Sequence, residues 1–441
     1  MADDAYLLSD SPSGLQGALD IISHYAKQYQ LRFNADKTKV VVTGSKVDMA
    51  FYKDTTPWTL NGEKVKVVDS NEHLGLVVSG SDEEQKNIDE NIVSCRNSLF
   101  ALLGPAFSFK CLLSPLVQIH IWRTCCLPVL VSGLPALPIR PNNMKPLEIF
   151  HNKTMRGFLK LSQSSPIPAL HFLLGELPAE GVLHIRTLSL FHNIWSNPDT
   201  TVHAMVMYIL KMCDSKSTTL SNHFQLLCLQ YGIPSPLSLL QSPPWAKQEW
   251  NTYVKIRVTT WHEKKLRGLS LGNSKMTYLN IQLHGLSGRP HSVLQNICTT
   301  QDAKKLGLHL KFLTCDILTN ERRSEDQPGV SPACDFCDDP IDSIEHALVC
   351  CKAIADIRGR LFPELMNTVA KVQPMSKILH YQPPASILTQ FVLDCTSFNL
   401  PDDIRIPVHN PGVSAVHSIC RDWCYAVDSE RSRMLRALRR N

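Results

Sequence analysis

Apolar positions change period along the first 160 residues, and each change marks an element. Leu15, Ala18, Leu19, Ile22, Tyr25, Ala26 and Tyr29 recur at helical spacing behind Ser11-Pro12, an N-cap followed by proline at the first helical position. Val40 to Thr43 is a β-branched run before Gly44 and predicts a strand. Trp58 to Val68 alternates around Asn61-Gly62, the signal for a type I′ hairpin. Leu74 to Val78 predicts one more strand. From residue 81 the pattern is helical: Ser81 with Glu84 forms a capping box, Ile88, Ile92, Cys95, Leu99 and Leu102 form the stripe, and Gly104-Pro105 is the stop. Further helices are predicted over 111–126, 142–161, 180–195 and 201–213. Proline breaks at Ser165-Pro166, Pro234 to Pro236 and Pro243-Pro244 punctuate the middle of the chain, and no internal repeat is visible.

Composition adds bounds. A chain of 441 residues has room for two to four domains, and 44% hydrophobic with 19% charged residues fits a protein with a core. Net charge +5 with pI about 8.4 permits nucleic-acid binding without demanding it. Fifteen cysteines follow an acidic N-terminus, Met1-Ala2-Asp3-Asp4, with no basic leader, so a reducing compartment is expected, with most cysteines as small buried hydrophobes. The most apolar run, Cys125 to Ile139, is broken by Pro128, Gly133, Pro135 and Pro138, and no membrane span is expected. No P-loop, G-x-G-x-x-G or G-x-S-x-G stretch occurs, and His151, His171 and His184 read as core or surface residues rather than ligands.

Four features carry candidate chemistry. Asp3 and Asp4 are adjacent carboxylates, the ligand type for Mg²⁺. Cys334 and Cys337 form a C-x2-C knuckle, with His346, Cys350 and Cys351 following, so the pattern is C-x2-C-x8-H-x4-C through Cys351 or x3 through Cys350. Thiolates and an imidazole in this number are a zinc donor set, with a short helix from near Ile341 carrying the second pair. Trp245, Trp250 and Trp261 are interleaved with Lys247, Lys255, Arg257, Lys264, Lys265 and Arg267, which fits either a nucleic-acid face or a helix with a buried tryptophan side and a solvated charged side. Arg431, Arg433, Arg436, Arg439 and Arg440 make a basic terminal helix, for phosphate contact or simple solvation.

Taken in order, these motifs resemble the C-terminal part of the reverse transcriptase of non-LTR (LINE-type) retrotransposons. Ala2-Asp3-Asp4 resembles the aromatic-Ala-Asp-Asp hairpin of the palm, with Met1 in the aromatic place. Leu31-Arg32-Phe33-Asn34-Ala35-Asp36-Lys37-Thr38 resembles the next palm motif, and Glu72-His73-Leu74-Gly75 the primer grip. Gln118-Ile119 through Leu130-Val131-Ser132-Gly133 resembles a thumb segment. The Cys-His cluster, preceded by Leu308 to Arg323, resembles the C-terminal zinc knuckle, and the x4 spacing of the family favours Cys351 and sets it on one helical face with His346.

The resemblance implies RNA-directed DNA synthesis. Asp3 and Asp4 would hold catalytic Mg²⁺, Lys37 would assist near the triphosphate, and Leu74 and Gly75 would grip the primer. Cys334, Cys337, His346 and Cys351 would hold a structural Zn²⁺, with Arg322 and Arg323 on nucleic acid. The implied partners are an RNA template and a DNA primer, in nucleus and cytoplasm. The expected fold is α+β: a partial polymerase palm (1–80), thumb-like helices (81–165), a mostly helical connector (166–300), a small CCHC zinc-knuckle region (301–365) and a helical, basic C-terminal part (366–441). An exposed palm edge is expected to favour association. The alternative function is a non-catalytic, zinc-stabilised nucleic-acid-binding protein. The family's first palm aspartate and its fingers precede the aspartate pair on which this sequence opens, so the chain alone is expected to be inactive. Purified protein given template-primer, dNTPs and Mg²⁺ is expected to extend no primer; elongated product on a sequencing gel refutes this.

Overall fold

The structure is a computed structural model that describes residues 6–439 apart from 32, 35, 44–45, 56–57, 108–112, 213–218, 287, 373–374, 376–377, 380–381 and 399–410. Ser11 caps α1 (Pro12–Gln28), its hydroxyl accepting the Gly14 amide at 3.3 Å. Then follow β1 (Lys39–Val41), α2 (Lys46–Thr55), β2 (Thr59–Leu60), β3 (Glu63–Lys64), β4 (Lys66–Val68), β5 (Ser70–His73) and β6 (Leu76–Ser79). Among the described residues these strands pair as three two-stranded ladders: β1 with β4 in parallel, β2 with β3 and β5 with β6 antiparallel. Asn61 and Gly62 make the expected I′ turn with φ of 53° and 85°. A small core of Leu19, Val40, Trp58, Leu60 and Val65 joins α1 to these strands.

Leu74 and Gly75 are not in a strand. They form the two-residue turn of the β5/β6 hairpin, where His73 pairs with Leu76 and both turn residues take positive φ, 51° and 77°. Glycine accepts this freely, whereas leucine carries about 1 kcal/mol of strain or more. The Leu74 side chain is 83% exposed, so nothing in its packing offsets that cost.

The remainder is helical, which makes the chain α+β with helix dominant. α3 (Glu83–Phe107) leads to α4 (Pro115–Ile121), a π-helical turn over Trp122–Cys126, and α5 (Leu127–Leu130). The Ser81–Glu84 capping box does not form. Glu84 instead accepts the Arg140 amide at 2.9 Å and the Asn143 side chain at 2.8 Å, tying α3 to the start of α6 (Pro141–Leu159). Helix α3 also runs past Gly104-Pro105 to Phe107, since a proline in the last turn removes only one intrahelical bond. Its buried stripe is Ile88, Cys95, Leu99 and Leu103, while Leu102 points outward.

Next come α7 (Ile167–Leu174), α8 (Ala179–Trp195), α9 (Thr201–Met212), α10 (Leu220–Tyr231), α11 (Pro236–Leu240) and α12 (Lys247–Ser270). The C-terminal helices are α13 (Thr300–Leu313), α14 (Asn320–Asp326), α15 (Ala355–Val369), α16 (Ala385–Leu393) and α17 (Pro411–Leu438). One core runs from Ile88 on α3 to Val427 on α17, and a second, from Leu188 to Val258, fills the space among α8 to α12. α8 and α12 contribute to both, with Leu183 and Leu266 in the first and Leu188 and Val258 in the second.

On α12 the tryptophans are structural. Trp250, Val254, Val258, His262 and Leu266 form the buried stripe, and the Trp250 indole donates to the Leu188 carbonyl at 2.9 Å. Lys265 sits over Trp261 at 4.9 Å and pairs with Glu180 at 3.0 Å. The basic terminal segment is likewise part of a packed helix: α17 buries Val413, Val416, Cys420, Trp423, Cys424 and Val427, and Arg433 pairs with Glu430.

Burial makes many histidines resist protonation. It holds His151, His184, His262 and His284 down to about 3, and His171 and His309 to about 4. Unfolded histidine titrates near 6.5, so below that pH the unfolded chain binds more protons than the folded one. The stability is complete above about pH 6.5 and is lost as pH falls toward 3, at up to about 1.4 kcal/mol per pH unit for each histidine. Six such groups together exhaust an ordinary folding free energy of about 5–15 kcal/mol within one to two units. Chemical denaturation across pH 7.5 to 4.5 is expected to show a steep fall beginning near 6.5; a flat profile down to pH 5 refutes it.

Candidate metal centre

The four-residue ligand set is built from two local devices. The first is the tight loop from Cys334 to Asp339, closed by the Cys334 amide on the Asp339 carbonyl at 3.0 Å. The second is a π-helical turn, His346–Cys350, in which the Cys351 amide donates to the His346 carbonyl at 2.8 Å. An ordinary α-helix sets residues five apart about 140° around its axis. The wider turn, with hydrogen bonds reaching five residues back, removes most of that offset and brings His346 and Cys351 to one face. The shared face expected from the spacing is real, but the π-turn produces it rather than an α-helix.

The donor atoms of Cys334, Cys337, His346 and Cys351 lie within 4.8 Å of one another. Cys334 Sγ is 4.0 Å from Cys351 Sγ, Cys337 Sγ is 3.9 Å from Cys351 Sγ, and Cys337 Sγ is 3.4 Å from His346 Nε2. A tetrahedral zinc has edges of about 3.8 Å between sulfurs and about 3.6 Å between sulfur and nitrogen. The site therefore has the dimensions of a metal centre and can hold an ion. Cys351 is buried inside it, and Cys350 is exposed and outside it.

Surrounding groups tune the ligands. Asp339 places a carboxylate oxygen 3.1 Å from His346 Nδ1, although the angle is not that of a hydrogen bond. This is the position from which an outer carboxylate orients a ligating imidazole. Burial opposes ionisation of Cys337, but the amides of Asp339 and Lys352 donate to its sulfur and its thiol lies below the ordinary range. Burial pushes the Cys334 thiol up to about 12 and also raises Cys351. A divalent cation supplies the positive charge that thiolates in such surroundings require.

Other expected site residues lie elsewhere. Asp3 and Asp4 fall outside the described residues, as does Arg440. Lys37 is exposed on a turn whose Asn34 side chain accepts the amides of Asp36 and Lys37 at 2.9 and 3.3 Å, and it leads into β1. Leu74 and Gly75 form the hairpin turn described above. Arg322 pairs with Glu325 at 3.2 Å, and Arg323 is 3.5 Å from the Asn320 side chain. Beside the knuckle is a cleft of about 600 Å³, where Arg322 meets Glu321, Glu325, Asp339 and Glu345. That lining is net acidic and opposes phosphate.

A second constellation, His284, His291 and Asp394, also gathers donor atoms within 4.8 Å. The donor atoms of His291 and Asp394 are already engaged, while His284 Nε2 is buried without a hydrogen-bond partner. The Asp394 carboxylate accepts the Thr396 amide and hydroxyl at 3.0 and 2.6 Å and the Ser397 hydroxyl, and faces His291 Nε2 at 3.4 Å. His291 Nδ1 accepts the Val293 amide at 3.1 Å, which leaves the ring proton on Nε2, facing Asp394. Four donors saturate a carboxylate, so Asp394 is held as a polar pin within the core and is not free to ligate an ion.

Compared with known proteins, the chain matches no family model, no curated protein and no solved structure.

Cys351→Ser is expected to abolish stoichiometric zinc uptake by the dialysed protein, and Cys350→Ser to leave it at one ion per chain. Metal analysis of both variants tests this, and loss of zinc in the Cys350 variant alone reverses the assignment.

Proposed function

We propose that this chain is a zinc-stabilised, nucleic-acid-binding C-terminal part of a LINE-type reverse transcriptase. The observation that carries the reading is the ligand set itself. Cys334, Cys337, His346 and Cys351 converge at tetrahedral spacing, and they occupy the positions at which the sequence resembles the family's zinc knuckle. Three thiolates and an imidazole favour zinc over harder cations such as Mg²⁺, which take oxygen ligands. Support for the polymerase relationship comes from the ordered motifs around Asp3-Asp4, Lys37 and Leu74-Gly75.

In this reading the zinc supplies folding free energy, as structural zinc does in small cysteine-rich modules. The metal would stabilise its bound loops, and basic residues on α13 and α17, which pack together, supply phosphate contacts. Lys304 and Lys311 on α13, with Arg436 near the end of α17, carry that role. The polymerase chemistry belongs to Asp3 and Asp4 with Mg²⁺, completed by palm residues that the family places ahead of them.

A second reading, a non-catalytic nucleic-acid-binding protein, is favoured by one observation. Among the described residues, the Cys334, Cys337, His346 and Cys351 set is the one four-donor metal-ligand constellation, and it is made of the sulfur and nitrogen donors of a structural site rather than the carboxylates of a catalytic Mg²⁺ site. The two readings share the binding function and differ only in whether polymerase chemistry accompanies it.

The test is RNA binding by the full chain and by a Cys334→Ser, Cys337→Ser variant. Gel-shift titrations of single-stranded RNA at several salt concentrations are expected to show salt-dependent affinity for the zinc-loaded chain. The double variant is expected to lose at least ten-fold in affinity while keeping its far-ultraviolet circular dichroism. Wild-type protein that binds no RNA at low salt rules out both readings.

A further inference from the structure

The metal-ligand loop and the C-terminal helix meet at one charged pair. Asp342 lies between the two ligand pairs in the chain, and its side chain is 2% exposed. Its carboxylate accepts Arg431 Nη2 with both oxygens, at 2.9 and 2.7 Å, and the Asn320 amide at 3.0 Å. The same guanidinium stands 5.1 Å from the centroid of the Phe336 ring, and Phe336 sits between the ligands Cys334 and Cys337. Two turns earlier on α17, the Trp423 indole donates to the Leu348 carbonyl at 3.1 Å, inside the π-turn that spaces His346 from Cys351.

One helix therefore grips both halves of the ligand set. Arg431 holds the Cys-x2-Cys loop through Phe336 and Asp342, and Trp423 holds the His–Cys turn. The separation of the two halves, which sets the sulfur–sulfur edges of the site, is fixed by where α17 lies. Arg431 also matches the task chemically: a planar guanidinium can pair with a carboxylate along its edge while covering a ring with its face.

We infer that Arg431 is the positioning residue of the metal centre, so that zinc affinity and docking of the C-terminal half of α17 are one coupled equilibrium. The inference rests on the zinc reading of the site above. Coupling is reciprocal: whatever docking of α17 adds to zinc binding, zinc adds to the docking of α17. Loss of an outer partner of a metal site typically costs about 10–100-fold in affinity, and Arg431 reaches both the loop and its carboxylate.

The experiment uses the full chain, zinc as the only ligand, and competition with a chromophoric chelator. Arg431→Met is expected to weaken zinc binding at least ten-fold. Arg431→Lys is expected to recover part of that loss, because it restores charge to Asp342 without the planar fork. Arg123→Met breaks another partly buried ion pair, with Glu176. It is expected to lower the melting temperature and leave zinc affinity unchanged. In parallel, stripping zinc from the wild type is expected to speed amide exchange over 423–438, and leave α1 unaltered. Unchanged zinc affinity in both Arg431 variants overturns the coupling alone. So does an equal loss in Arg123→Met, which makes the effect general destabilisation. A wild-type chain that takes up no zinc overturns the zinc reading and the coupling together.

Discussion

A buried carboxylate is tolerable only with its counter-charge in place, and Asp342 finds its own on a helix 89 residues away. Removing either partner of such a pair leaves an isolated charge in the interior at a cost of about 3–5 kcal/mol. The same carboxylate accepts the first amide of α14, so three separately folded segments depend on one ion pair: the knuckle loop, α14 and α17. Trp423 and Val427 of the same helix and Leu348 of the π-turn belong to the main core. The C-terminal helix is accordingly a structural wall of the candidate metal centre, and its arginines divide by position: Arg431 turns inward, while Arg433 stays at the surface with Glu430.

Local chemistry was readable wherever it was decided locally. The Ser11-Pro12 cap, the Asn61-Gly62 hairpin, the helices around 142–161, 180–195 and 201–213, and the buried tryptophan face of α12 all follow from nearest-neighbour rules, and the structure has them. The ligand set was also readable, because thiolates and imidazole at short spacing have few other uses. The x4 spacing already favoured Cys351 over Cys350, and the widened turn is the geometry that brings it to one face with His346.

What stayed hidden was set by distant partners. Glu84 looked like a capping residue because the motif is local, yet Arg140 and Asn143 compete for it from 56 and 59 residues away. The terminal helix is legible as basic from its last ten residues, whereas its apolar stripe, which packs it into the core, lies earlier and includes Cys420 and Cys424. Leu74-Gly75 looked like part of a strand because leucine seldom accepts positive φ; only the pairing of His73 with Leu76 shows the turn. The resemblance to a polymerase palm rests on sequence alone at Asp3 and Asp4, and Lys37 stands exposed on its turn.

The paired helices α8 and α12 have a consequence for how such a chain can change over evolutionary time. The chain leaves the main core along one and returns along the other, and most of the apolar side chains between Leu188 and Val258 pack on an interior of their own. The excursion is thus a cassette with adjacent entry and exit. Lengthening, shortening or replacing it leaves the path of the surrounding chain unaltered so long as the lower halves of the two helices keep their contact. Changes of length are therefore tolerated best in α9 to α11, and least where α17 meets the Cys-His cluster.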